Sequence, residues 1–338
     1  MTLPTFIKAA EVWLPSKDGT LLELGSGYFG SGTAFGAISR SMCFGRCEGL
    51  PGAAWDEGRP ILLRDLENSY FRRAAAARAL GITCAVAIPY FEDERIAAVL
   101  VMFCAHAPLQ GGAVELWRAP GGQALMALVD GAYGADAAEF EAMSRATSFE
   151  RGAGLPGAAW SLGQALFQED LGSASGAFLR GRAAAGAGLV RGLAIPAGSL
   201  DGEPHVLTFL AGSSLPLAHR VERWVPAQTG VHLRRVYAYS ELHGGRSSAE
   251  VTLVVGRRAA PAAVAGDGME PWDEPDGAVP VPHGALSQAL LLGVPVINER
   301  PASEPGPPAA AATAIGAKAL LAVPVVRDGV AEVLALYL

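Results

Sequence analysis

The residues with the widest chemical scope are the cysteines, and two of the four are spaced to act together. Cys43 and Cys47 form a C-x₃-C pair just ahead of the run EGLPGAAW at 48–55. On a helix that spacing places two thiols one turn apart, which suits a redox pair or a pair of thiol ligands. The competing reading is two small side chains near an interior, where free cysteine commonly lies. Cys84 and Cys104 fall in apolar runs and read as core residues. The six histidines (His106, His205, His219, His232, His243, His283) contain no i, i+4 or H-x₃₋₅-H pair, so no metal site is expected. No Ser/His/Asp or Cys/His constellation is legible, and a non-catalytic protein is expected.

A second set of polar residues recurs along the chain. Asp65–Leu66 and Asp170–Leu171 each precede an Ala-rich segment that opens with an aromatic residue, FRRAAAARALG at 71–81 and FLRGRAAAGAG at 178–188. Asp65 and Asp170 could present carboxylates to a ligand, or accept backbone N–H bonds where strand turns into helix. Arg72, Arg73 and Arg180 could pair with an anionic ligand; a solvated helix face is the preferred reading. Trp55 and Trp160 serve either as core anchors or as pocket walls.

These residues sit in a repeat, which locates the elements that must position them. EVWLPSKDGTLLELGSGYFG at 11–30 matches ELWRAPGGQALMALVDGAYG at 115–134, Trp13 falling on Trp117. EGLPGAAW matches AGLPGAAW at 153–160, and ITCAVAIPYFEDERIAAVLVMFC at 82–104 matches LVRGLAIPAGSLDGEPHVLTFLA at 189–211. A third copy is visible mainly at its end, in AIGAKALLAVPVVRDGVAEVLALYL at 314–338, with AEVTLVVG at 249–256 as its expected opening strand. Within a copy, the Asp18-Gly19 turn joins two strands, GLPGAAW starts a helix with proline in its first turn, PILLRDL is a strand, and Gly81 ends the following helix. The order β-β-α-β-α-β-β predicts an α+β fold with a mainly antiparallel sheet in each copy. The units are expected at 1–108, 109–245 and 246–338. The second should end in helices around 215–243, and the Pro/Gly/Ala-rich runs at 259–284 and 302–312 should be loops that make the third a structural cap.

The ordered set G-L-P-G-x-x-W, D-L, F-x-R, a helix-ending glycine and A-I-P resembles the GAF domain, of the type associated with bacterial sensor kinases and photoreceptors. The resemblance covers residues 10–104 and 113–211 well and 249–338 in part. It implies a cup between one sheet face and the helices, with Cys43, Cys47, Trp55, Asp65, Phe71, Arg72, Trp160, Asp170, Phe178 and Arg180 as candidate cup residues. It also implies a small-molecule ligand, a protein partner or a homo-oligomer; no cofactor is indicated. The Asn-Lys-Phe-Asp-Glu set of the family's cyclic-nucleotide binders is missing, as are the Cys-His of its bilin binders and the cysteine pattern of its methionine-sulfoxide reductases. The helices that usually flank a GAF module are nearly absent around the first copy, so one face of its sheet needs another cover.

Composition bounds the function classes. A net charge of −7 without a long basic run disfavours nucleic acid. No apolar stretch reaches 18 residues, so no membrane span is expected, and the sparse cysteines fit a reducing, cytoplasmic compartment. A regulatory sensor, a scaffold subunit with filled cups, and a thiol-redox protein remain as readings, in that order.

Overall fold

The computed structural model describes residues 4–105, 112–121, 123–172, 178–226, 232–241, 245–246, 251–254, 284–326 and 329–338. Three antiparallel sheets follow one another along the chain, each with helices on one face. The first module runs β1 (Ile7–Pro15), β2 (Leu21–Tyr28), α1 (Thr33–Arg40), β3 (Cys43–Gly45), α2 (Gly49–Glu57), β4 (Ile61–Leu63), α3 (Ala74–Ala79), β5 (Cys84–Glu92) and β6 (Arg95–Cys104), with sheet order β3-β2-β1-β6-β5-β4. The second repeats it as β7 (Gly112–Arg118), β8 (Leu125–Tyr133), α4 (Ala138–Ala146), β9 (Ser148–Glu150), α5 (Gly154–Leu162), β10 (Leu166–Gln168), α6 (Gly181–Gly186), β11 (Arg191–Ala197) and β12 (His205–Ala211). The third comprises β13 (Arg220–Pro226), β14 (His232–Ser240), β15 (Gly245–Arg246), β16 (Val251–Val254), α7 (Ala285–Leu292), β17 (Val296–Asn298), α8 (Pro307–Ile315), β18 (Leu320–Val326) and β19 (Val330–Tyr337).

The α+β class and the repeat stand; several elements differ from expectation. Each of the first two modules carries an additional helix and short strand, α1–β3 and α4–β9. The expected helices around 215–243 are the strands β13 and β14 of the third sheet; β13 pairs with β19 on one side and with β14 on the other. The third sheet therefore opens at Arg220, and Val251–Val254 is an added strand on β14. The 302–312 run is not a loop: Pro307 and Pro308 stand in the first turn of α8, where a missing N–H is tolerated. Of the 259–284 run, only Gly284 lies among the described residues.

The GLPG motif has a steric cause. Gly49 and Gly154 hold φ of +55° and +61° at the helix start. A Cβ at Gly52 would lie 2.1 Å from the Gly45 carbonyl oxygen, and one at Gly157 would lie 2.2 Å from that of Glu150. Only a residue without a side chain lets the helix approach the preceding strand this closely.

The face of the first sheet opposite its helices is covered by the other two sheets. Along β6, Ala98, Leu100, Met102 and Cys104 face a core shared by all three modules, while Val99, Val101 and Phe103 face the first module's helices. Leu207, Phe209 and Ala211 of β12 and Leu334 and Leu336 of β19 join the same central core. Strands buried on both faces read as unbroken apolar runs, as these do. The arrangement closes as a pseudo-threefold ring. Arg64, beyond β4, meets Asp130 of β8 at 3.4 Å; Phe167 of β10 packs 5.2 Å from Tyr239 of β14; and Glu299, beyond β17, meets Arg40 of the first module at 3.7 Å.

Candidate functional site

The cup of each module is built from one short motif on its opening strand. In β1, Glu11 and Trp13 are two residues apart and so share a face; the indole N–H of Trp13 donates to Glu11 at 3.0 Å. Glu115–Trp117 in β7 and Glu222–Trp224 in β13 repeat this at 3.1 and 3.0 Å. Each tryptophan follows a register shift against the next strand, at Val12/Trp13, Leu116/Trp117 and Arg223/Trp224. All three carboxylates are fully buried.

A buried charge needs a partner, and in two modules it comes from the F-x-R segment. In the second module Arg180 donates through Nη1 and Nη2 to Glu115 at 2.5 and 2.9 Å, and Nη1 also donates to Ser144. Thr208 and Tyr133 donate to the same carboxylate at 2.9 and 3.1 Å. The guanidinium carbon lies 4.7 to 5.4 Å from the ring centroids of Trp117, Phe140, Phe149 and Phe178. Burial pushes the Glu115 carboxyl up, but the charge and hydrogen bonds of Arg180, with those of Ser144 and Thr208, outweigh it and hold the group below its ordinary value. The first module repeats the site: Arg73 donates to Glu11 and Ser39 among Phe35, Phe71 and Phe103. In the third, Glu222 instead accepts from Arg220, Arg235 and Tyr337, at 2.7, 2.9 and 2.9 Å.

The candidate residues therefore divide. Phe71, Phe178 and Arg180 reach the cup interior. Arg73, not Arg72, is the counterpart of Arg180. Arg73 and Arg180 are 4% and 2% exposed, which overturns the solvated-face reading for both, whereas Arg72 is exposed. Neither buried arginine is free to recruit an anion, because each already holds an internal carboxylate. Asp65 and Asp170 are exposed and bind their own turns. Asp65 accepts the N–H groups of Glu67 and Asn68 at 2.9 and 3.0 Å, and Asp170 accepts that of Gly172 at 2.8 Å. Trp55 and Trp160 are half-buried on α2 and α5; Trp160 lies under Arg151 and lines a cleft of about 420 Å³ with Pro196 and His205.

Cys43 and Cys47 are exposed free thiols, and neither is helical: Cys43 starts β3 and Cys47 holds a turn at φ +68°. A hydrogen bond with Asp56, followed by burial and the Asp56 charge, pushes the Cys47 thiol up, against thiolate formation. Cys84 and Cys104 pair across β5 and β6 in the central core as free thiols, and burial raises Cys104 well above its ordinary value. Among the described residues no group of three His, Cys, Asp or Glu could hold a metal, and no helix is long and apolar enough to cross a membrane.

The residues missed at the sequence level are Glu11, Glu115, Glu222, Ser39 and Ser144. The signal for the first three was present as E-x-W, three times.

No family model and no curated protein matches the chain. Solved structures do match, each over about one module. The GAF domain of nlh2 from A. aeolicus in an inactive state is 17% identical, over 30% of this chain and 59% of that chain, with a TM-score of 0.25. A GAF domain region from Geobacter sulfurreducens is 18% identical over 29% and 64%, with a TM-score of 0.25. The reduced form of fRMsr from Staphylococcus aureus is 19% identical over 29% and 56%, with a TM-score of 0.24. The modules are thus similar to GAF-domain structures one at a time, and this chain spans less than two thirds of the first of these.

Proposed function

We propose that this chain is a non-catalytic regulatory or scaffold protein that acts through protein contacts, as one rigid three-module block with its cups closed. The observation that carries this is the Glu115–Arg180 pair, boxed by four aromatic rings where a ligand would sit. A cup that already holds an ion pair, its hydrogen bonds and its aromatic walls offers a ligand no unpaired charge. The raised Cys47 thiol and the buried Cys84 and Cys104 argue against thiol chemistry.

The test is cross-linking followed by mass spectrometry on protein purified from its source. Stoichiometric cross-links from the outer helices to a partner chain, or to a second copy, support the proposal. A small molecule recovered in contact with Arg73 or Arg180 overturns it. A cleft of about 630 Å³ also lies between modules one and three, where Arg40 and Arg300 are balanced by Glu299 and Glu304.

A further inference from the structure

The three A-x-P segments meet around one cavity beside the shared core. Pro89, Pro196 and Pro324 stand at equivalent positions, opposite Val99, Val206 and Val333. The next residue in each strand is Tyr90, Ala197 or Val325. The modules thus differ at this position: the first has a large aromatic where the others have a methyl and an isopropyl group. The cavity measures about 250 Å³ and is lined by all three modules through Ile88, Pro89, Tyr90, Pro196, Leu200 and Pro324, among others.

Its chemistry is specific. The walls combine apolar side chains with Asp93 and Ser199, and the three prolines supply no N–H. Tyr90 is 9% exposed, burial pushes its phenol up, and its hydroxyl has no hydrogen-bond partner among the described residues. The residue lines the open cavity, where its hydroxyl can donate to a ligand acceptor in place of solvent. Leu200 and Val326, 45% and 46% exposed, extend the apolar lining to the mouth. The turns around it carry Glu92, Asp93, Glu94 and Asp201 against Arg95, which disfavours an anion.

We infer that this cavity binds a neutral, flat apolar molecule with one hydrogen-bond acceptor, which the Tyr90 hydroxyl recognises. The cavity lies outside the cups, so the inference stands apart from the scaffold proposal.

Prodan, a neutral naphthalene ketone whose emission reports polarity and hydrogen bonding at its carbonyl, is a suitable probe. The intact chain should bind one prodan, with blue-shifted emission. Tyr90→Phe should keep the stoichiometry, weaken binding about fivefold for one lost hydrogen bond, and shift the emission further to the blue. Ala197→Phe should abolish binding by filling the cavity. Val326→Glu, at an exposed rim position that does not threaten folding, should weaken it by placing a carboxylate at the mouth. No saturable binding, or binding that neither Ala197→Phe nor Val326→Glu reduces, would overturn the assignment. An emission spectrum and affinity unchanged by Tyr90→Phe would overturn the role of Tyr90.

Discussion

Arg180→Met removes the cation from the second cup while keeping much of the side chain's length. Glu115 would remain fully buried, with the donors of Trp117, Thr208 and Tyr133 at 3.1, 2.9 and 3.1 Å but no opposite charge. Breaking a buried pair from one side costs about 3–5 kcal/mol. Three remaining neutral donors place this case near the lower end, at about 3 kcal/mol. Glu115→Gln should cost a similar amount, because it strands Arg180 among aromatic rings. The double variant Glu115→Gln/Arg180→Met should recover most of the loss, since neither charge is left unpaired. Urea denaturation followed by tryptophan fluorescence, with an unchanged m value, gives the three free energies and hence a coupling of about 5 kcal/mol when the double variant loses only about 1. A single-variant loss below about 1 kcal/mol would mean that the pair is hydrated as surface pairs are. The cup would then be open to solvent and the closed-cup account would fail.

Other perturbations probe separate parts of the structure. Gly157→Ala should destabilise by about 1–3 kcal/mol, the range for overpacking, because its Cβ meets the Glu150 carbonyl oxygen; thermal unfolding reads this directly. Burial raises the Glu304 carboxyl against the opposing hydrogen bonds of Asn298 and Ala285. Its stability contribution is therefore complete below the ordinary glutamate value and falls as pH rises through the raised one. Glu304→Gln should flatten the decline in stability above about pH 4.5, and a variant whose pH profile parallels the parent would remove that assignment. His205 has the opposite sign: burial lowers it, so its contribution is present above the ordinary histidine value and is lost as pH falls through the lowered one. His205→Phe should reduce the acid loss below about pH 6.5 in urea unfolding. Residues 1–108 expressed alone should aggregate or bind hydrophobic dyes, because Val86, Leu100 and Met102 would lose their cover. A monodisperse, cooperatively folding fragment would contradict the shared core.

The repeat carried much of the fold on its face. GLPG, A-I-P and the helix-ending glycines fix local geometry through steric demands that leave few residue choices, so matching them located matching elements. The need for a cover over the first sheet was also legible, in β6 as an apolar run. The β13–β14 hairpin was not. In β14, Arg235 points inward to Glu222 and Val236 is 41% exposed, so its polar and apolar residues do not follow the strand period. The site was hidden for a related reason. A buried glutamate and a surface one look alike until the partner is known, and Arg73 and Arg180 lie more than sixty residues from Glu11 and Glu115. The E-x-W spacing could have joined them, since a carboxylate on the same strand face as a buried indole must itself be buried.

Amide hydrogen exchange on the intact chain tests the central claim, that three sheets share one core. The inner strands β6, β12 and β19 each face that core, so their amides should exchange only through global unfolding. They should show one common protection free energy and one common dependence on denaturant. If the third module's β19 opens at a lower free energy while β6 and β12 stay protected, the modules are separate domains and the single-block account is wrong.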